Sequence, residues 1–270
     1  MDERDSPNID IYSFDKETRF AIYSVMKPYF EFANAVHNSI VSFVKPFMEF
    51  VERAAQIVKI LSPEIEKYLA ILKLAEVQYV NFGHIDTDFA KQINEADNVN
   101  KILRQTHEQN KYRQVNNTIR LCGDHALMHT YKKMFSQAIL AYRNKHNELA
   151  IVGFLAVIDG LLTDVSKDSA TSIFNRANII LEKAVKSETI DFDDEELHVL
   201  ALTITFVKTV ELLSAQSDFN GKEPPSLNRH WIMHGRSRRR KTKLDCIKLI
   251  HFIYGILLIH DFSITGSINT

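Results

Sequence analysis

TKLDCIKLIHFIYGILLI, residues Thr242–Ile259, is apolar on almost every side of a helix. Thr242 and Asp245 have the spacing of a capping box, so a helix should begin there. From Cys246 to Ile259 only Lys248 and His251 interrupt the apolar run, which falls short of the roughly 18 to 20 residues that span a bilayer. The segment therefore reads as a helix buried inside a protein, with His251 and the later His260 as satisfied core or interface histidines.

Upstream, Gly221-Lys-Glu-Pro-Pro-Ser226 ends one helix and starts another, because Pro224-Pro225 cannot continue a helix and Ser226 can cap the next. A short helix from Leu227 should stop at Gly235, a natural C-cap. Helices are expected over about 195–214 and 169–185. A helical region opens near Asp124, runs through Leu127, Met134, Ile139 and Leu140, and continues with little break through 149–162. Between about 86 and 117, QINEADNVNK and RQTHEQNKYRQVNN carry few core-forming residues and read as a solvated helix or linker. Ser62-Pro63 supplies a cap and a first-turn proline for a helix reaching about Val80. Before it, Val36, Ile40, Phe43, Val44, Phe47, Val51, Ala54, Val58 and Leu61 recur at steps of three and four, the stripe of a long amphipathic helix. That stripe suits either a core or a groove for a partner helix.

Composition agrees with an all-α chain. With 8 Gly and 6 Pro in 270 residues, the turns that short-strand β proteins need are scarce. The expected organisation is an N-terminal helical hairpin region with a polar linker (1–118) and a C-terminal helical bundle (119–270). The two cysteines, Cys122 and Cys246, lie far apart beside apolar residues and suit reduced core thiols. MDERDSPNID has neither the basic nor the apolar part of a secretion signal, so a soluble, cytoplasmic protein is expected. The net charge of −1 predicts neither nucleic-acid nor membrane binding for the molecule as a whole. Charge is unevenly spread, however: RSRRRKTK at 236–243 is strongly basic and DFDDEE at 191–196 strongly acidic.

The segment that points to chemistry is Asn228-Arg229-His230-Trp231-Ile232-Met233-His234-Gly235. On an ideal helix Arg229, Met233, His230 and His234 fall at about 0°, 40°, 100° and 140°, with Trp231 and Ile232 near 200° and 300°. Trp231 and Ile232 can anchor the turn while Arg229, His230 and His234 share one side. Cleavage of RNA through its 2′-OH needs a base, an acid and positive charge on the developing phosphorane. Histidine exchanges protons near its ordinary pKa of about 6.5, and arginine offers a permanently charged fork matched to phosphate oxygens. This chemistry requires no metal or cofactor.

Arg229, a polar residue after it, and His234 resemble the signature of the HEPN superfamily: an Arg, then Asn, Asp or His, then three to five residues and a His. The Pro-Pro loop before it, Gly235 after it, the long apolar helix that follows, and AYRNKHNELAIVGFLAVIDGLL at 141–162 are similar in order to a C-terminal HEPN module. The resemblance covers roughly 123–261. It implies a HEPN-like helical bundle and metal-independent RNA endonuclease activity, with Arg229, His234 and His230 catalytic. It also implies a homodimer in which two motifs meet, a setting as a toxin or antiviral defence effector, and an antitoxin or regulatory partner. Some related toxins carry a modifiable Tyr two positions after the motif His, but that position is Arg236 here. Asp159, in apolar surroundings, needs a partner and is expected to hold Arg229 or His230, with Asn228 supporting. Arg236, Arg238, Arg239, Arg240, Lys241 and Lys243 are candidate contacts to the RNA backbone, or simply a solvated loop. They lack interleaved aromatics in sequence, so no base stacking is expected there.

Other readings stand beside this one. A HEPN-type module without catalysis would bind RNA or protein, and a helical adaptor would use the N-terminal hairpin alone. His125 and His129 share the i, i+4 spacing of zinc ligands, but no nearby Cys or Glu completes a set, and they read as helix-surface residues. The piece FNRANII around Arg176 echoes LNRHWIM at 227–233 without a following His, and reads as coincidence.

Overall fold

A helix with no polar face needs neighbours on every side, and two such helices organise this protein. The computed structural model describes residues 63–83, 85–169, 172–186, 195–215 and 219–265. Ten α-helices lie among them: α1 (Pro63–Glu76), α2 (Thr87–Glu95), α3 (Val99–Gln109), α4 (Arg113–Asp124), α5 (Lys132–Arg143), α6 (Asn147–Ser166), α7 (Ile173–Lys186), α8 (Glu195–Ser214), α9 (Arg229–Met233) and α10 (Lys243–Thr265). No strand occurs among the described residues, so the protein is all-α as expected. The two central helices are α6 and α10. α10 packs against α6, α4, α7, α8 and α3, and α6 also packs against α5 and α7. α6 is the one described helix long and apolar enough to cross a membrane, and 56% of that stretch is buried in the protein.

The chain divides into a unit of residues 1–65 and a unit of residues 66–270. The amphipathic stripe of Val36 to Leu61 and the Ser62 cap lie outside the described residues. Within the second unit no break falls near 118: Ala70, Ile71, Ile93, Leu103, Val115 and Ile119 join Phe154, Phe206 and Phe252 in a single core. Of the two readings of residues 86–117, helix holds and linker does not. These residues form α2, α3 and the start of α4, each with one narrow apolar side: Ala90 and Ile93, then Val99, Leu103 and His107, then Val115, Thr118, Ile119 and Cys122. Short helices with a single buried stripe carry a large polar surplus, which hid them from a count of core-forming residues.

Other boundaries shift for local reasons. α1 stops at Glu76 because Gln78 turns into the left-handed region (φ 58°), and the Tyr79 N–H bonds back to the Leu74 carbonyl. Helix does not begin at Asp124 but ends there. A 3₁₀ turn, Ala126–Met128, leads into α5, and Lys145 (φ 64°) breaks the chain between α5 and α6. α10 starts with the expected box: the Asp245 carboxylate accepts from the Thr242 amide (2.8 Å), and the Thr242 hydroxyl faces the Asp245 amide at 3.3 Å. Both cysteines are free and buried, and burial pushes the Cys122 thiol up to about 12.

α5 and α6 approach closely at Gly153, where an added Cβ would stand 2.8 Å from the Ala138 methyl. That methyl is fixed to its backbone, so a side chain here must separate the helices. Gly153→Val is expected to lower stability by about 1–3 kcal/mol, the usual cost of overpacking, in a urea titration; an unchanged midpoint would contradict the close approach.

A second buried cluster ties the segment after α1 to α3 and α10. The Tyr79 hydroxyl and His107 Nε2 are 3.1 Å apart, His251 Nδ1–H donates to the Val80 carbonyl (3.3 Å), and the His251 ring packs against Tyr79 and Phe82. Burial and the nearby Lys243 lower His107 to about 4, while burial and His107 lower His251 to about 3. Both folded-state values lie below the ordinary histidine value, so the unfolded chain binds more protons in acid. The stability they contribute is complete above about pH 6.5 and is lost as pH falls toward 4 for His107 and toward 3 for His251, by up to ~1.4 kcal/mol per pH unit for each histidine. Thermal midpoints should fall between pH 7 and pH 5, and His251→Phe should roughly halve that slope.

Candidate active site

A five-residue helix has almost no stability of its own, so the position of α9 is set by side chains that pin both its ends. The N-cap is Asn228 rather than Ser226. Its Oδ1 accepts the Trp231 amide (3.1 Å), and its Nδ2 donates to the Ala215 carbonyl just past α8 (2.7 Å). Asn228 is buried, which is why it outcompetes the earlier serine: the same amide both caps α9 and fastens it to α8. One residue before, Gln78 clamps Leu227. Its Nε2 donates to the Leu227 carbonyl (2.7 Å) and its Oε1 accepts the Leu227 N–H (2.6 Å). At the other end Gly235 is left-handed (φ 65°). Its N–H reaches the Ile232 carbonyl and the Arg236 N–H reaches the Trp231 carbonyl, the paired bonds of a Schellman turn. Trp231 is buried and Ile232 packs on the core, as their helical angles predict.

The polar side of α9 splits between two sets of neighbours. Arg229 reaches toward α6, with its Nη2 3.5 Å from Asp159 Oδ1. Arg176 on α7 places Nη1 3.3 Å from the same oxygen, donates to the Asp159 carbonyl (3.1 Å) and bonds to the Thr163 hydroxyl. Asp159 thus has the partner its sequence context calls for, although it is less enclosed than expected, with 37% of its side chain exposed. Arg229 Nε is buried without a hydrogen-bond partner.

His230 and His234 turn to the other set. Their rings meet edge to face with centroids 4.6 Å apart. Phe219 stacks on His230 at 4.5 Å, within 4° of parallel, and meets Trp231 and His234 edge-on. His230 is half-buried and His234 exposed. Arg229, at the start of α9, and His234, its C-cap, therefore engage different neighbours.

No protein-family model matches the chain, and no curated protein or solved structure matches it either.

The basic segment divides by role. Arg239 pairs with Asp245 through both terminal nitrogens (3.3 and 3.2 Å), and Lys241 is buried beside Glu223 and Ser237. Both side chains thus have partners within the fold. Arg236, Arg238, Arg240 and Lys243 remain exposed. Aromatic partners absent from the local sequence arrive from elsewhere in the fold: the Lys243 ammonium sits 3.2 Å from the Tyr112 ring centroid, and the Arg236 guanidinium 5.6 Å from that of Phe219.

His125 accepts the Leu127 amide at Nδ1 and faces Asp261 through Nε2 at 3.1 Å, while His129 is exposed. Among the described residues no three His, Cys, Asp or Glu side chains gather as a metal-binding group.

Gln78, Arg176, Phe219 and Glu223 were missed by sequence reasoning. Only Arg176 left a trace, in the FNRANII echo; the others meet α9 and the basic segment through long-range packing that no local spacing encodes. Gln78→Leu would strand the buried N–H and C=O of Leu227 at about 1–3 kcal/mol each. A marked loss of stability in urea is expected, and a change below about 0.5 kcal/mol, typical of a surface substitution, would contradict the clamp.

Proposed function

We propose that this chain is a HEPN-like RNA endonuclease that needs no metal and acts as a cytoplasmic homodimer. The observation that carries this reading is that Arg229, His230 and His234 belong to one turn pinned at both ends, beside exposed cations. In the proposed reaction the 2′-OH attacks the adjacent phosphorus, a histidine takes its proton, and the 5′-oxygen leaves as a hydroxyl with a second proton, giving a 2′,3′-cyclic phosphate. His234, exposed, is the proton-transfer group, and His230 stands 4.6 Å away as its ring neighbour. Arg229 stabilises the phosphorane, and Asp159 holds the guanidinium in place until substrate competes for it. A second copy brings the facing motif and so the second acid-base group. Leu149 and Val152 on α6 and Met233 on α9, all exposed, supply apolar surface for it to cover. A role as a toxin or antiviral effector with an antitoxin-like partner belongs to this same reading.

A non-catalytic RNA-binding module is the second reading. It is favoured by the ion pair that already engages Arg229 and by the Phe219–His230 stack, which offers a surface on which a base can stack.

Labelled RNA incubated with the protein in EDTA separates them. The endonuclease leaves cyclic phosphate ends, and Arg229→Ala and His234→Ala each lower the rate by about 10²–10⁴, the usual contribution of general acid-base and charge stabilisation. Binding without cleavage would favour the module, and neither would contradict both.

A further inference from the structure

Glu223, in the Pro-Pro loop, points its carboxylate at two main-chain amides, a hydroxyl and an ammonium. One of its oxygens, Oε2, accepts two consecutive main-chain N–H groups, from Arg238 (2.7 Å) and Arg239 (3.0 Å). The other, Oε1, takes the Ser237 hydroxyl and lies 3.7 Å from the Lys241 ammonium. The Lys241 side chain is only 5% exposed, and its nearest carboxylate is this one, 19% exposed. Burial alone would raise the Glu223 carboxyl, but the Ser237 hydroxyl, the two amides and Lys241 outweigh it and hold it below the ordinary carboxylate range.

Two adjacent amides converge on one oxygen, and a hydroxyl and an ammonium complete a donor set suited to phosphate. An open depression of about 360 Å³, lined by Lys222, Glu223, Pro224, Pro225 and Arg239, adjoins it. The exposed Arg238 and Arg240 belong to the same segment. Glu223 itself is on the loop 221–226, which starts at Gly221 and belongs to no helix, so its carboxylate can leave without unfolding one.

We propose that the amides of Arg238 and Arg239, the Ser237 hydroxyl and the Lys241 ammonium form a phosphate-binding site, and that Glu223 occupies it as an internal competitor in the resting chain. Arg239 and Lys241 then bind phosphate through an amide and a buried ammonium rather than as a loose basic tail. Exchange of the monoanionic carboxylate for a phosphodiester preserves the local charge, so the two anions compete for the same donors. The site takes phosphate whether or not the chain cleaves RNA, and only its use for an RNA backbone rests on the proposed function.

The test uses the full chain in EDTA with two probes: inorganic pyrophosphate, and a 2′-O-methyl oligoribonucleotide that cannot be cleaved through its 2′-OH. In the wild type, pyrophosphate should shift the Arg238 and Arg239 amide resonances. Glu223→Gln should bind the oligonucleotide about ten-fold more tightly, with a log K against log salt slope steeper by about 0.7 for one added phosphate contact on a single strand. Adding Ser237→Ala should remove most of that gain. Response to both probes supports a backbone site, and response to pyrophosphate alone supports a site for free phosphate. Unmoved amides in the wild type, or a Glu223→Gln variant that folds and binds both probes no better, would overturn the proposal and leave Glu223 as a loop brace. Because neither probe is cleaved, a failed cleavage assay would leave this result standing.

Discussion

The turn that carries Arg229, His230 and His234 is too short to exist alone, and the site depends on the buried amides that hold it. Gln78 and Asn228 do this work by satisfying backbone and side-chain groups that would otherwise be stranded where water cannot reach them. Gly235 closes the other end with a conformation that other residues adopt only at a cost. The third contact closes the helix on itself, and the first two tie α9 to the turn after α1 and to the end of α8. Both of those lie on the α6–α10 core, so the precision of the site is inherited from the interior of the protein.

The same core explains how a chain of net charge −1 carries a concentrated positive surface. Several of the cations meet carboxylates: Asp159 is shared by Arg176 and Arg229, Asp245 lies beside Arg239, and Glu223 lies among Ser237, the amides of residues 238 and 239, and Lys241. The acids order the cations, since six neighbouring basic residues without counter-charges would repel one another and stay unfixed. Outside these pairs stand the exposed Arg236, Arg238, Arg240 and Lys243, the last of them close enough to Glu108 to feel its charge. Two of these lie over aromatic rings, Phe219 for Arg236 and Tyr112 for Lys243.

Much of this was legible in the sequence because it is local. The all-apolar run of α10, its Thr242–Asp245 box and the stop at Gly235 are written within a few residues of where they act, and so is the anchoring by Trp231 and Ile232. Asp159 was readable as needing a cation because of its apolar flanks, though not as shared between two arginines. The helices over 87–124 were obscured by their one-sided burial. Gln78, Arg176, Phe219 and Glu223 were obscured for a different reason: each matters through a neighbour remote in the chain, 149 residues away for Gln78 and Leu227. A residue such as Gln78, polar and buried, has no periodic signature, and its role emerges only when its two bonds are seen.

Native-state hydrogen exchange at the amides of Leu227 and Trp231 tests the rigidity of α9 most directly. Both are bonded to buried side chains, so they should exchange only through large-scale opening, with protection near that of core amides in α10 such as Ile250. Exchange at the rate of an open loop, while Ile250 stays protected, would show that the helix is not held and that Arg229, His230 and His234 have no fixed arrangement.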